Sequence, residues 1–209
     1  SFKKSIQEVS KILAIKGEVL PSTYEDVILS ARLEDGRVVW GESSIAVGGH
    51  RSNIKELQLH PQSAPANPDA IKAIEKADII LIGPGSLYTS IIPNFLLKEI
   101  RRAVASSRAK KIFICNVSTE RGETEEYSVN DHIGRLVEHS DPLVFDTCLV
   151  NNKLILKSSG KRLGEVKNIT TYEKKIGRYK IVAEDIIDEK SPLYHDPQKL
   201  TRAIISILN

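Results

Sequence analysis

The hydrophobic positions of this chain keep helical spacing at first, then alternate, then run together, and each change of period predicts a change of element. Phe2, Ile6, Val9, Ile12 and Leu13 recur at helical intervals, with Gly17 as the stop. From Val27 the period shortens to two. Val27, Leu29, Ala31 and Leu33 alternate with other residues, as do Val38 and Trp40, and Asp35-Gly36 between the two runs is a hairpin signal. AVGGHRSN then reads as a polar, Gly-containing loop and IKELQLH as a third strand. PQSAPANP is a connector leading to a helix, DAIKAIEKA, capped at Asn67 or Asp69.

Beyond residue 77 the apolar runs become continuous. DIILIG, KKIFICN and FDTCLV (followed by KLILK) each read as a strand buried on both faces. Between them, residues 91–106 form an amphipathic pattern with Leu96, Leu97, Ile100 and Val104 inward and Lys98, Arg101 and Arg102 outward. SVNDHIGRLVEHS reads as a helix capped near Ser128, and YKIVAEDII as a further strand. DPQKLTRAIISILN closes the chain as a helix with Asp196 as cap and Pro197 at its first position. Strands alternating with helices predict an α/β fold, a parallel sheet with helices on both faces plus a β-hairpin. The sequence has no internal repeat and no low-complexity segment.

Composition narrows the function classes. Of 209 residues 41% are hydrophobic and 27% charged, ordinary for a globular chain. The net charge of +3 comes from 30 basic and 27 acidic residues, and no Lys/Arg run is interleaved with aromatics, so nucleic acid is not an expected partner. No run of 18 apolar residues predicts a membrane span. Cys115 and Cys148, 33 residues apart, make neither a zinc site nor a disulfide framework, which favours a reducing, cytoplasmic compartment. No metal-ligand spacing occurs. The chain opens on Ser1-Phe2-Lys3 and contains no methionine, as expected of a piece, or the ordered part, of something longer.

The stretch with the clearest chemistry is GPGSLYTS, where a buried strand ends on two glycines and a proline. Gly83 and Gly85 permit positive φ and close approach to the backbone. The N–H groups of residues 85–87, the hydroxyls of Ser86, Thr89 and Ser90, and the following helix start suit an anion. The segment is not a Walker loop, because no lysine follows the last glycine. A strand-to-helix turn whose hydroxyls cap the helix accounts for the same residues equally well. After the next strand, Asn116, Ser118 and Thr119 fall on the same sheet edge, followed by Glu123, Thr124, Asp131 and His132. Two consecutive strands ending in polar, Gly-containing loops predict a cleft. Asp131-His132 also fits a helix cap beside a surface imidazole, and Thr119 and Glu123 fit turn chemistry. His195 reads as structural, His60 and His139 as surface residues, and His50 carries no assigned role.

ADIILIGPGSLYTSIIPN, KKIFICNVSTERGETEEYSVNDHI and SPLYHDPQKL, in that order, resemble the 2-phospho-L-lactate transferase-like superfamily. With KILAIKGEVLPSTYEDVILSARLEDGRVVWGES, they are most similar to its bacterial gluconeogenesis-factor branch. The resemblance covers nearly the whole chain and implies a cytoplasmic protein of Rossmann-like fold. The superfamily's transferases move a lactyl-phosphate group from a nucleotide diphosphate onto a deazaflavin precursor. The gluconeogenesis-factor branch is associated with cell shape and cell-wall metabolism during gluconeogenic growth and with binding nucleotide sugars of the UDP type. Carried over residue by residue, the ligand-facing positions are Gly83, Gly85, Ser86, Leu87, Tyr88, Thr89 and Ser90, with the Asn116/Thr119 edge. Family members begin with a strand and a Gly-rich nucleotide loop that this sequence lacks. Residues 1–209 are therefore expected to be one α/β domain, the C-terminal two-thirds of a family-type chain with the N-terminal part of the fold missing.

Three functions follow as expectations. The first is a nucleotide-sugar-binding regulator, with the diphosphate at GPGS and the 116–124 loop on the sugar or a partner. The second is a transferase moving a phosphate-linked group from a nucleotide diphosphate donor, with Asp131 or Glu123 orienting the acceptor and Mg²⁺ as the metal. The third is a partner-binding domain in which GPGS is only a turn. Protein partners in cell-wall synthesis and homo-oligomerisation stay open.

Overall fold

The computed structural model describes residues 16–48, 52–155 and 167–209. Residues 1–15 of the expected N-terminal helix and the end of KLILK lie outside the described residues.

A small antiparallel sheet comes first, with strand order β2-β1-β3: β1 (Ile28–Leu33), β2 (Val38–Trp40) and β3 (Ile54–His60). Gly36, at φ +87°, makes the turn that pairs Ser30 with Trp40. Part of the expected AVGGHRSN loop is instead helical. α1 (Glu42–Gly48) follows a turn at Gly41 and drives Ile45 into the core, a single buried anchor that periodicity does not detect.

α2 (Pro68–Lys76) begins at Asn67, whose side chain accepts from the Asp69 N–H. It leads into the main sheet: β4 (Ile79–Ile82), β5 (Lys110–Ile114), β6 (Thr147–Asn151), β7 (Lys175–Ile176) and β8 (Tyr179–Glu184), in the order β4-β5-β6-β8-β7. The first four in that order run parallel and β7 is antiparallel. β4 is not buried on both faces as its run suggests. Among the described residues it pairs only with β5, and Ile79 and Leu81 are 41% and 44% exposed. An unbroken apolar run does not distinguish an edge strand from a central one.

Alternate residues of the strands face opposite cores. Ile112 and Leu149 pack with Ala203 of α6 (Pro197–Leu208), whereas Phe113, Cys115 and Cys148 join the larger core. That core also holds Leu29, Ile45 and Ile54 of the small sheet, so both sheets share one buried cluster. α5 (Val129–Glu138) is capped by Ser128 with Asp131 in a reciprocal capping box. Lys111, inward on β5, places its ammonium 2.8 Å from the Leu143 carbonyl, beside the last carbonyls of the helix before it.

The helix expected over 91–106 starts earlier and is broken. A π-helical turn spans Leu87–Ile91, α3 spans Ile92–Leu96 and α4 spans Lys98–Ser106, with Leu97 extended between them. Pro93 cannot donate to the carbonyl of residue 89, which leaves the wider turn as the way into α3. Leu97, Ile100 and Val104 point inward as expected.

Candidate functional site

Beyond the carboxyl ends of β4 and β5 lies a cleft of about 520 Å³, where ligands sit in open parallel sheets. Three stretches build it. The first is the turn after β4, which contributes Pro84, Gly85, Ser86 and Ser90. The second is the segment after β5, with Asn116, Val117, Ser118 and Glu120. The third is Leu193–His195, with Pro197 and Leu200 of α6 behind it.

Gly83 starts the turn at φ +86°, and a Cβ there would meet the Ile114 carbonyl at 3.1 Å and Ile91 Cδ1 at 3.2 Å. Only glycine fits without displacing the neighbouring strand. The Asn116 amide donates to the Gly85 carbonyl at 3.0 Å and ties the first wall to the second. The Ser118 hydroxyl donates to the Pro192 carbonyl at 2.8 Å, tying the second wall to the third. His195 Nε2 lies 3.2 Å from the Cys115 carbonyl. A carbonyl only accepts, so Nε2 carries the hydrogen and Nδ1 is unprotonated. Burial lowers the His195 pKa, so the ring is neutral at physiological pH.

Two carboxylates flank the turn in different roles. Glu123, 7% exposed, accepts from the Tyr88 N–H at 2.9 Å and the Thr89 hydroxyl at 2.6 Å. The anion held by this helix start is therefore the chain's own. Burial raises the Glu123 pKa, against the opposing effect of these bonds. Glu120 lines the cleft. Burial raises its pKa too, while a bond from the Ser86 hydroxyl opposes and the Glu123 charge adds.

Of the residues expected at the site, the structure brings Gly85, Ser86, Ser90 and Asn116 together around the cleft. Gly83 shapes the turn from behind. Leu87 and Tyr88 are core residues, 1% and 0% exposed, and the Tyr88 hydroxyl meets that of Tyr127 at 2.8 Å. Thr89 serves Glu123. Thr119 pairs with the backbone of Lys167, the Thr124 hydroxyl accepts from the Glu120 N–H, and Asp131 caps α5. The Ser128 hydroxyl lowers the Asp131 pKa, as expected of a cap.

Sequence reasoning did not assign Glu120, Tyr194 or His195 to the site. Glu120 sits in a stretch read as turn chemistry, but it does follow a strand end on the right edge. Tyr194 and His195 arrive from about 80 residues further along, and no local pattern marks them. The histidines expected at the surface also differ. His132 is 1% exposed with Nε2 unpartnered among the described residues, and His139 is 9% exposed. No group of three or more metal-ligating side chains occurs among the described residues. Among the described residues, Glu120, with Ser86 beside it, is the one carboxylate lining the cleft that could take a cation.

Comparison with known proteins places this geometry in a family. The family model of 2-phospho-L-lactate transferase CofD matches residues 1–187. The "Gluconeogenesis factor" of Bacillus subtilis is 38% identical over 213 residues, covering 99% of this chain and 66% of that protein. That of Halalkalibacterium halodurans is 36% identical over 209 residues, covering 98% and 64%. A crystal structure of a UPF0052-family protein from Bacillus halodurans superposes with a TM-score of 0.88 at 36% identity, over 98% of this chain and 66% of that one. The chain spans about two-thirds or less of the length of the curated relatives it matches.

Proposed function

The chain belongs to the family of 2-phospho-L-lactate transferase CofD, and from that premise we propose that it is a gluconeogenesis factor that binds a nucleotide sugar of the UDP type. In this reading it is a cytoplasmic regulator that links carbon supply to cell-wall metabolism and cell shape. One observation carries the ligand-binding part: three segments far apart in sequence converge on a cleft at the carboxyl edge of the sheet, each tied to the next by a hydrogen bond. The names of the bacterial relatives support the regulatory part. Among the described residues no helix is long and apolar enough to cross a membrane.

A second reading rests on Glu120. A carboxyl whose pKa is raised by burial, lining a cleft beside a serine, is suited to take a proton from an acceptor alcohol. The protein would then be a transferase for a phosphate-linked group, with Glu120 as its base.

Calorimetric titration with UDP-glucose tests the first reading, using the wild type and Tyr194→Ala. Tyr194 is 66% exposed at the cleft, so its removal leaves the fold intact. Binding weakened severalfold in the variant is the expected result, and an unchanged isotherm overturns the placement of the ligand in this cleft. Turnover of a nucleotide donor that stops in Glu120→Gln would favour the second reading.

A further inference from the structure

Taking a nucleotide sugar as the ligand, on which reading this rests, we infer that the cleft receives the uncharged, hydroxyl-rich sugar and that the phosphates lie at or beyond its mouth. The charge of the lining leads there, and the acceptors its side chains present agree. A diphosphate is polyanionic and offers only acceptors. Among the described residues lining the cleft there is no lysine or arginine, and the single formal charge is Glu120. A phosphate seated against Glu120 would meet a like charge where burial reduces solvent screening.

Several donors around the cleft are already committed, although the N–H groups of residues 85–87 at its rim are not. Glu123 occupies the N–H of Tyr88 and the hydroxyl of Thr89. Asp196 occupies those of Gln198 and Lys199 at the start of α6. The Asn116 amide donates to Gly85, the Ser118 hydroxyl to Pro192 and His195 Nε2–H to Cys115. Deeper in the cleft the side chains present acceptors: the Glu120 carboxylate, the Asn116 carbonyl oxygen and His195 Nδ1.

Sugar hydroxyls donate, so they fit this set, and a site built to bond a hydroxyl rejects a ligand that lacks it. The exposed Tyr194 adds a ring face for the C–H side of a pyranose. Glu120 is thus the specificity residue. Its carboxylate accepts from the sugar, and no cation is required to seat it.

The test is calorimetry on the full chain with UDP-glucose and with UDP, each in Mg²⁺ and in EDTA, for the wild type and Glu120→Gln. Thermal melts establish that the variant is folded. The wild type should prefer UDP-glucose over UDP by about tenfold or more, equally in Mg²⁺ and EDTA, as differential hydroxyl recognition requires. Glu120→Gln should bring that preference close to parity while leaving UDP affinity within about twofold, a factor set by the loss of one hydrogen-bonding group. A preference unchanged in Glu120→Gln overturns the inference and leaves the nucleotide-sugar reading standing. Equal affinity for UDP and UDP-glucose, dependent on Mg²⁺ and lost in Glu120→Gln, also overturns it, because it places a metal-bound phosphate at the carboxylate. Failure of the wild type to bind either nucleotide removes the underlying reading, and the inference with it. Tyr194→Ala should weaken UDP-glucose more than UDP, and an equal effect on both counts against the sugar assignment.

Discussion

The Thr89 hydroxyl donates to Glu123 Oε1 at 2.6 Å across 34 residues of chain. With the Tyr88 N–H on the other carboxylate oxygen at 2.9 Å, this bond fastens the loop after β5 to the helical turn after β4. Glu123 is thus a positioning residue that holds the two walls of the cleft in register. Glu123→Ala leaves these donors buried and unpartnered, and should cost about 2–4 kcal/mol. For a chain of this size that lowers the melting temperature by about 5–12 °C. Glu123→Gln keeps one oxygen acceptor and should lose about half as much. Thermal denaturation of both variants checks the order.

Burial, the largest influence on both Glu120 and Glu123, raises their pKa above the ordinary 4.5. A carboxyl raised on folding contributes stability that is complete below pH 4.5 and fades as pH rises through its folded value. Asp131, lowered first by the Ser128 hydroxyl, behaves oppositely: its contribution is present above 3.8 and lost as pH falls through the folded value. Glu120→Gln removes one source of the alkaline decline. The unliganded variant should therefore gain stability over wild type at about pH 8 more than at pH 4.5. Urea unfolding at the two pH values measures this, and the gain should accompany the loss of sugar preference.

The two glycines of the turn should respond differently. Gly83→Ala forces φ +86° on a residue with a Cβ and drives that atom to 3.1 Å from the Ile114 carbonyl. The backbone strain alone is worth about 1–3 kcal/mol. Gly85 is not in the left-handed region, and its Cβ would stand 3.4 Å from Ser90 Cβ. Gly85→Ala should change stability by less than about 1 kcal/mol. Denaturant midpoints for the pair decide the comparison.

The buried Tyr88 and half-buried Tyr127 share a hydroxyl contact at 2.8 Å, and burial pushes the Tyr88 phenol well above its usual range. Tyr88→Phe and Tyr127→Phe, singly and together, form a cycle in which the coupling should be about 0.5–1.5 kcal/mol. A coupling near zero would mean that the rings, with centroids 6.4 Å apart, hold the turn by packing alone.

How much of this was legible in the sequence follows from where the deciding forces act. The Asp35-Gly36 hairpin and the caps at Asn67, Ser128 and Asp196 depend on groups within a few residues of one another, and they stand in the structure as read. The exposure of Ile79 and Leu81 depends on which strand lies beside β4, which the run of apolar residues does not contain. The break at Leu97 and the single anchor Ile45 are tertiary in the same sense. At the site, Gly85, Ser86, Ser90 and Asn116 follow strand ends directly and were legible. The capture of the Tyr88 and Thr89 donors by Glu123, and the arrival of His195 under Cys115, are long-range contacts without local signature.

Hydrogen exchange with and without saturating UDP-glucose tests the central claim most directly. Ligand in the cleft should slow exchange in residues 85–87, 116–120 and 193–195 together, while the opposite side of the turn, lined by Leu20, Ile74 and Phe95, stays unchanged. Protection confined to that opposite side, or none at all under saturating ligand, would contradict it.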